Sequence, residues 1–194
     1  MKNIKVKIKG ITPLLQHRFT EDELLSLLGS KTSKRKDKEE LTPREIAEKY
    51  AYVSSDGIYQ IPTSYFVGSF KSVASEYKQK NSVRKSMKAI AGGIFKPQSE
   101  FVSILDENDN PVKSFEVDIR KATNHQKGAI AVCRPRFDRW QCELEILIDD
   151  DLASPEVVHE ILNDAGKRSG IGSFRVSKGG SFGQFRIVEF KEND

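Results

Sequence analysis

A chain of 194 residues with 37% hydrophobic, 9% aromatic and 31% charged residues has the make-up of one folding domain, which excludes a disordered tail or a membrane span of roughly 18 apolar residues. Its net charge is only +4, and two cysteines behind an N-terminus that alternates lysine with apolar residues do not make a secreted disulfide framework. The expectation is a cytoplasmic protein with no membrane partner and with Cys133 and Cys142 as buried thiols.

In "NIKVKIK", Ile4, Val6 and Ile8 alternate with Lys5, Lys7 and Lys9, the period of a half-buried strand. Thr20 and Glu23 then form a capping box ahead of leucines 24, 25, 27 and 28, and Gly29 supplies a left-handed stop to a short helix. Ser30 to Glu40 has no apolar anchor and reads as a linker. Thr42, Pro43 and Glu45 start a second helix, and "SSDGIY" predicts a hairpin with a two-residue turn at Asp56-Gly57. From Ser64 to Tyr77, Phe66, Phe70, Val73, Ala74 and Tyr77 fall at helical spacing.

The polar cluster Asp106 to Pro111 predicts a second hairpin, and Lys121 to Gly128 a basic loop. "AIAVC" and "WQCELEILI" read as strands joined around "RPRFDR", followed by a helix capped by Ser154, opened by Pro155 and stopped at Gly166. A glycine-rich stretch and a last strand, Gly183 to Phe190, close the chain.

Without the hairpins the order is strand, helix, strand, strand, helix, strand, with Ala129 to Cys133 as the second strand. That order predicts an α+β, ferredoxin-like (RRM-like) βαββαβ core, an antiparallel sheet with helices on one face. Residues 1–194 form a single domain in this reading, with residues 20–62 and 80–128 as insertions. The first and third strands become neighbours, so Lys5, Lys7 and Lys9 on the open face meet Glu143 and Glu145 and are neutralised across the strands. That face also lacks the aromatics on which bases stack in RRM modules.

Charge is unevenly spread. Glu143 to Asp164 carries acids and no lysine or arginine, whereas Lys71 to Lys96, Arg120 to Arg139 and Lys167 to Arg186 are strongly basic. The last of these contains "GIGSFRVSKGGSFGQFR". A dinucleotide or Walker loop needs a strand before the glycines and a helix after them, and here the order is reversed. Two readings stand. In one, Gly170 and Gly172 carry the chain out of a helix while Gly179, Gly180 and Gly183 make a turn and a bulge between two short strands. In the other, the bare backbone cradles phosphate while Arg175, Lys178 and Arg186 supply charge, a reading favoured by the absence of acids.

A helix followed by "GKRSGIGSFRVSKGGSFGQFRI", together with the hairpin and helix of "DGIYQIPTSYFVGSFKSVA", resembles the RAMP superfamily of CRISPR-associated proteins. The similarity is greatest to the backbone subunits that coat guide RNA. It implies finger- and thumb-like insertions, self-association along a strand, and CRISPR or phage proteins as partners. The candidate nucleic-acid contacts are Lys121, Lys127, Arg134, Arg136, Lys167, Arg168, Gly170, Gly172, Arg175, Lys178, Gly179, Gly180 and Arg186. The expected function is non-catalytic binding of single-stranded nucleic acid, RNA favoured over DNA.

Two alternatives remain open at this point. A metal-independent endoribonuclease of the same superfamily would use a histidine near the glycine loop, and His17, beside Arg18, is the candidate. A protein-protein adaptor would use the acidic Glu143 to Asp164 surface. No cofactor or metal is expected, because His17, His125 and His159 share no ligand spacing with the cysteines.

Overall fold

A computed structural model describes residues 1–29, 41–80, 82–123 and 128–193; the expected linker from Ser30 to Glu40, His125 and Lys127 lie outside these. The first strand, β1, covers Lys2–Gly10, and the two-residue β2, Leu14–Leu15, follows it. Helices α1 (Glu21–Leu27) and α2 (Pro43–Lys49) both start with the complete capping box that Thr20/Glu23 and Thr42/Glu45 predict. Gly29 has the left-handed backbone expected of a helix stop. α1 buries none of its residues.

The Asp56-Gly57 hairpin forms with a different turn. Val53 bridges Tyr59, and the Ser54 N–H donates to the Ile58 carbonyl, so three residues span the gap and only Gly57 has positive φ. Strand β3 (Gln60–Pro62) leads into α3 (Ser64–Val73), which ends one turn before Tyr77. Tyr77 still packs inward and its hydroxyl donates to Asp164. After α4 (Ala91–Ile94) comes a two-residue strand, β4 (Lys96–Pro97), and then β5 (Phe101–Ser103), which pairs with β3. The long hairpin expected around Asp106 to Pro111 reduces to one bridge, Leu105 to Pro111.

Its second arm is the strand β6 (Glu116–Thr123), which pairs instead with β7 (Ala129–Phe137). Lys121 therefore lies in a strand and not a loop, and Arg134, Pro135 and Arg136 continue the strand begun by "AIAVC". Strand β8 (Gln141–Ile148) follows, then α5 (Pro155–Arg168) and β9 (Phe185–Glu192). Ser154 occupies the N-cap of α5, but its side chain makes no capping bond. Gly166 does not stop α5. It lets the helix lie on β9, because a Cβ there would sit 2.2 Å from the Phe185 carbonyl oxygen.

The strands form two larger antiparallel sheets and one small ladder. The first sheet has the order β4-β8-β1-β9, the second β2-β7-β6, and β3-β5 stands alone. Ala129 to Cys133 thus belongs to the second sheet, and in the first sheet it is the stub β4 that pairs with β8 on the side away from β1. α3 and α5 pack on each other and over one face of the first sheet, where Ile4, Val6, Ile8, Leu144 and Ile146 meet Phe66, Phe70, Ile161 and Leu162. Cys133 and Cys142 are buried free thiols. α2 covers the second sheet, where Tyr59, Phe115 and Phe137 form an aromatic cluster.

On the other face of the first sheet the lysines of β1 are paired, with Glu143 as expected but with Asp109 and Glu107 in place of Glu145. Lys5 lies across from Glu145 and pairs with Glu143 at 2.7 Å; Lys7 reaches Asp109, and Lys9 reaches Glu107. Among the described residues no helix is long and apolar enough to cross a membrane.

Candidate nucleic-acid interface

The second sheet, β3 and the glycine-rich ribbon meet where the chain leaves β2. Gln16 is fully buried and ties this point down: its backbone N–H donates to Pro135 of β7, its Nε2 donates to the Gln60 carbonyl, and its Oε1 accepts from the Tyr52 N–H. His17 and Arg18 are thereby held in place, with the Arg18 N–H donating to the Tyr50 carbonyl. The His17 ring stacks flat on Tyr50, centroids 4.3 Å apart, and Arg18 lies 6.0 Å from the Tyr52 ring. Tyr52 meets Tyr65 of α3 edge-on at 6.0 Å.

The glycine-rich ribbon docks onto the same region. The Ser173 N–H donates to the Leu15 carbonyl at 2.7 Å, and Gly172 passes so close that a Cβ would fall 2.4 Å from that oxygen. Gly172 and Arg175 then face Ser64, Tyr65 and Gly68 of α3 across a cleft of about 190 Å³. Gly68 has open space before it. Arg175 is oriented from behind, since its Nη1 donates to the Gly172 carbonyl and its Nε to Ser177 Oγ, both at 3.1 Å. Next to it, Phe174 covers Arg134 with 5.4 Å between guanidinium carbon and ring centroid.

These contacts link cations and rings from distant parts of the chain: Arg18, Tyr52, Tyr65, Arg175, Phe174 and Arg134, with His17 on Tyr50 at the same junction. Guanidinium over aromatic faces, beside a cleft with one glycine in each wall, is a combination chemically able to stack flat rings and contact phosphate. Arg120 adds a further such pair, 4.6 Å from the Phe182 ring, while its Nε donates to Asp118.

The sequence-predicted contacts divide. Arg134, Arg175 and Gly172 belong to this junction, whereas Gly170 is buried against Phe182 and Gly183 of the ribbon itself. Lys178 and Gly179 form the exposed ribbon tip, and Lys121 is exposed on β6. Arg136 and Arg168 are occupied by ion pairs, with Asp138 and Glu76 respectively, and Lys167 is exposed at the end of α5. Arg186 lies across β1 from Lys9, on the sheet face away from the helices, so it does not join Arg175 and Lys178. The glycines serve mainly the ribbon's own folding: added Cβ atoms would fall 1.6 Å from the Phe174 oxygen at Gly180 and 1.8 Å from the Ile171 oxygen at Gly183. Of the predicted turn between two short strands, what forms is a 3₁₀ turn at Val176–Lys178 and a single Arg175–Phe182 bridge. Sequence reasoning missed Tyr50, Tyr52, Tyr65 and Phe174; only Phe174, inside the glycine-rich stretch, carried any signal.

His17 is half-buried, and its Nδ1 has no hydrogen-bond partner among the described residues. Burial, reinforced by the Arg134 charge and opposed by Glu23, lowers its pKa from the ordinary 6.5. The native state therefore binds fewer protons than the unfolded chain, and this group's contribution to stability is lost as pH falls below about 6.5. A proton NMR titration of the His17 ring should give a midpoint below 6.5, and His17→Gln should flatten that part of the pH-stability curve. A midpoint at or above 6.5 contradicts the burial account.

His159 packs edge-on against Phe190, and no group of three His, Cys, Asp or Glu among the described residues is arranged to hold a metal. The sequence matches no known protein-family model, and comparison with curated proteins finds no match.

Proposed function

We propose that this protein binds single-stranded nucleic acid, RNA in preference to DNA, without cleaving it, at the junction of the ribbon, α3 and the turn after β2. The observation that carries the reading is the run of arginines and aromatic rings beside the Gly68–Gly172 cleft. Stacking on tyrosines is tolerant of sequence, and the arginines supply the phosphate contacts. A ferredoxin-like core is part of the reading. It rests on α3 linking β1 to β4, on α5 linking β8 to β9, and on the β4-β8-β1-β9 order. With the ribbon after α5, this is what a member of the RAMP superfamily would have, and the second sheet would be its insertion.

Fluorescence anisotropy with labelled oligonucleotides tests the function. Single strands should bind at low salt and duplexes weakly, with affinity falling by about 0.7 log units per log unit of salt for each phosphate neutralised. No binding at low salt ends the reading, as does binding unchanged in the Arg175→Ala, Lys178→Ala double variant.

One observation favours a second reading, a metal-independent ribonuclease. A histidine whose proton affinity is lowered by burial, beside a buried arginine, has the make-up of a general base with a neighbour able to stabilise phosphorane charge. In that case the protein cuts RNA and His17→Ala leaves it intact; RNA that survives the wild-type protein excludes it.

A further inference from the structure

Arg134 is 8% exposed, and two of its guanidinium nitrogens, Nε and Nη1, are buried without a hydrogen-bond partner among the described residues. A buried cation without hydrogen-bonded partners is costly, and native proteins keep such groups where something pairs with them. Asp118 stands directly across the ladder, yet both its oxygens accept from Arg120 Nε, at 2.9 and 2.8 Å, and no ion pair joins it to Arg134. Its charge favours the Arg134 cation from a distance, while Arg120 opposes it. Phe174 attracts the charge through its ring but brings no lone pair. Phe174 is itself a non-glycine residue at φ +55°, a backbone conformation that accumulates at ligand clamps and switches.

We propose that Arg134 is the anchor for one phosphoryl group, a subsite under Phe174 distinct from the exposed ribbon tip. The oxygens of a phosphoryl group would accept from the two unsatisfied donors and neutralise the charge in one step. Phe174 is 42% exposed and sits on the ribbon, and in this proposal its ring swings aside to admit the group. Lysine would not serve equally, because a compact ammonium lacks the guanidinium's spread of donors. The identification of the phosphoryl group with one in a bound strand rests on the function proposed above; the anion site itself does not.

Thermal unfolding with inorganic phosphate as the probe, against chloride at equal ionic strength, tests the subsite without any nucleic acid. Wild-type protein should gain about 3 to 6 °C at ten times the phosphate Kd. Arg134→Gln should lose that gain while starting at an equal or higher Tm, since it removes an unpaired buried charge. Phe174→Ala, which uncovers the guanidinium, should respond at lower phosphate concentration. A wild-type protein with no gain over chloride overturns the proposal, and so does a gain that survives Arg134→Gln or vanishes in Phe174→Ala.

Anisotropy then separates the sources. A tenfold preference for oligonucleotides with a 5′-phosphate over 5′-hydroxyl ones, lost in Arg134→Gln, assigns the group to a strand end. Equal binding of the two with a salt slope shallower by about 0.7 in Arg134→Gln assigns it to an internal phosphodiester. A phosphate response without oligonucleotide binding retains the subsite and removes the nucleic-acid function.

Discussion

Gly183→Ala will destabilise the protein by about 3 kcal/mol, a fall of roughly 6 to 12 °C in Tm, whereas Gly179→Ala will cost only about 1 kcal/mol. Both glycines have positive φ, +69° and +77°, so both substitutions carry the left-handed penalty of a side chain. Only Gly183 also has backbone in front of it. Its N–H donates to the Pro13 carbonyl and its own carbonyl accepts from Ile171, and a Cβ would fall 1.8 Å from the Ile171 oxygen. The alanine therefore separates the two arms of the ribbon and lifts one of them from the turn after β1. Nothing lies within 4 Å of a Cβ at Gly179. Urea unfolding of the two variants decides the matter, and equal losses would mean that the arms are not packed as described.

That contrast also explains why the glycines were ambiguous in the sequence. Spacing shows that backbone must pass close to something, but not whether the something is a ligand or another part of the chain. At Gly180 and Gly183 it is the ribbon itself, and at Gly172 it is Leu15, more than 150 residues earlier in the chain. Local chemistry was legible: both capping boxes, the alternation of β1 and the Lys-Glu pairing depend on residues a few positions apart or on one strand register. The β6–β7 ladder was not. Arg134, Pro135 and Arg136 look like a break, because proline cannot donate to a ladder and charge avoids burial. The strand tolerates them because Pro135 contributes its carbonyl to Gln16, and Arg134 is covered by a ring from the glycine-rich ribbon, beyond β8 and α5.

The candidate site shows the same division. Basic segments were visible as runs, but which cations converge depends on topology: Arg186 went to the far sheet face by a register of one residue, and Arg168 to an ion pair with Glu76. Tyr52 and Tyr65 carried no signal at all. They lie on either side of the β3 strand, and it takes the β3–β5 ladder and the start of α3 to bring them into contact.

Tyr52→Leu and Tyr65→Leu should each weaken single-strand binding about 10- to 100-fold, because one stacked base is worth about 1 to 3 kcal/mol. Leucine keeps apolar bulk against Phe101 and α3 while removing the flat ring, so the loss should appear in affinity with little change in Tm. The salt slope should remain that of the wild type. Arg175→Ala should do the converse. It removes one phosphate partner, so its slope should become shallower by about 0.7, and its loss of affinity should vanish at high salt, where the stacking loss persists. Arg186→Ala, on the far face, supplies the control and should change neither quantity. A salt slope that responds to Arg186 and not to Arg175 would move the bound strand to the lysine-bearing face of the first sheet.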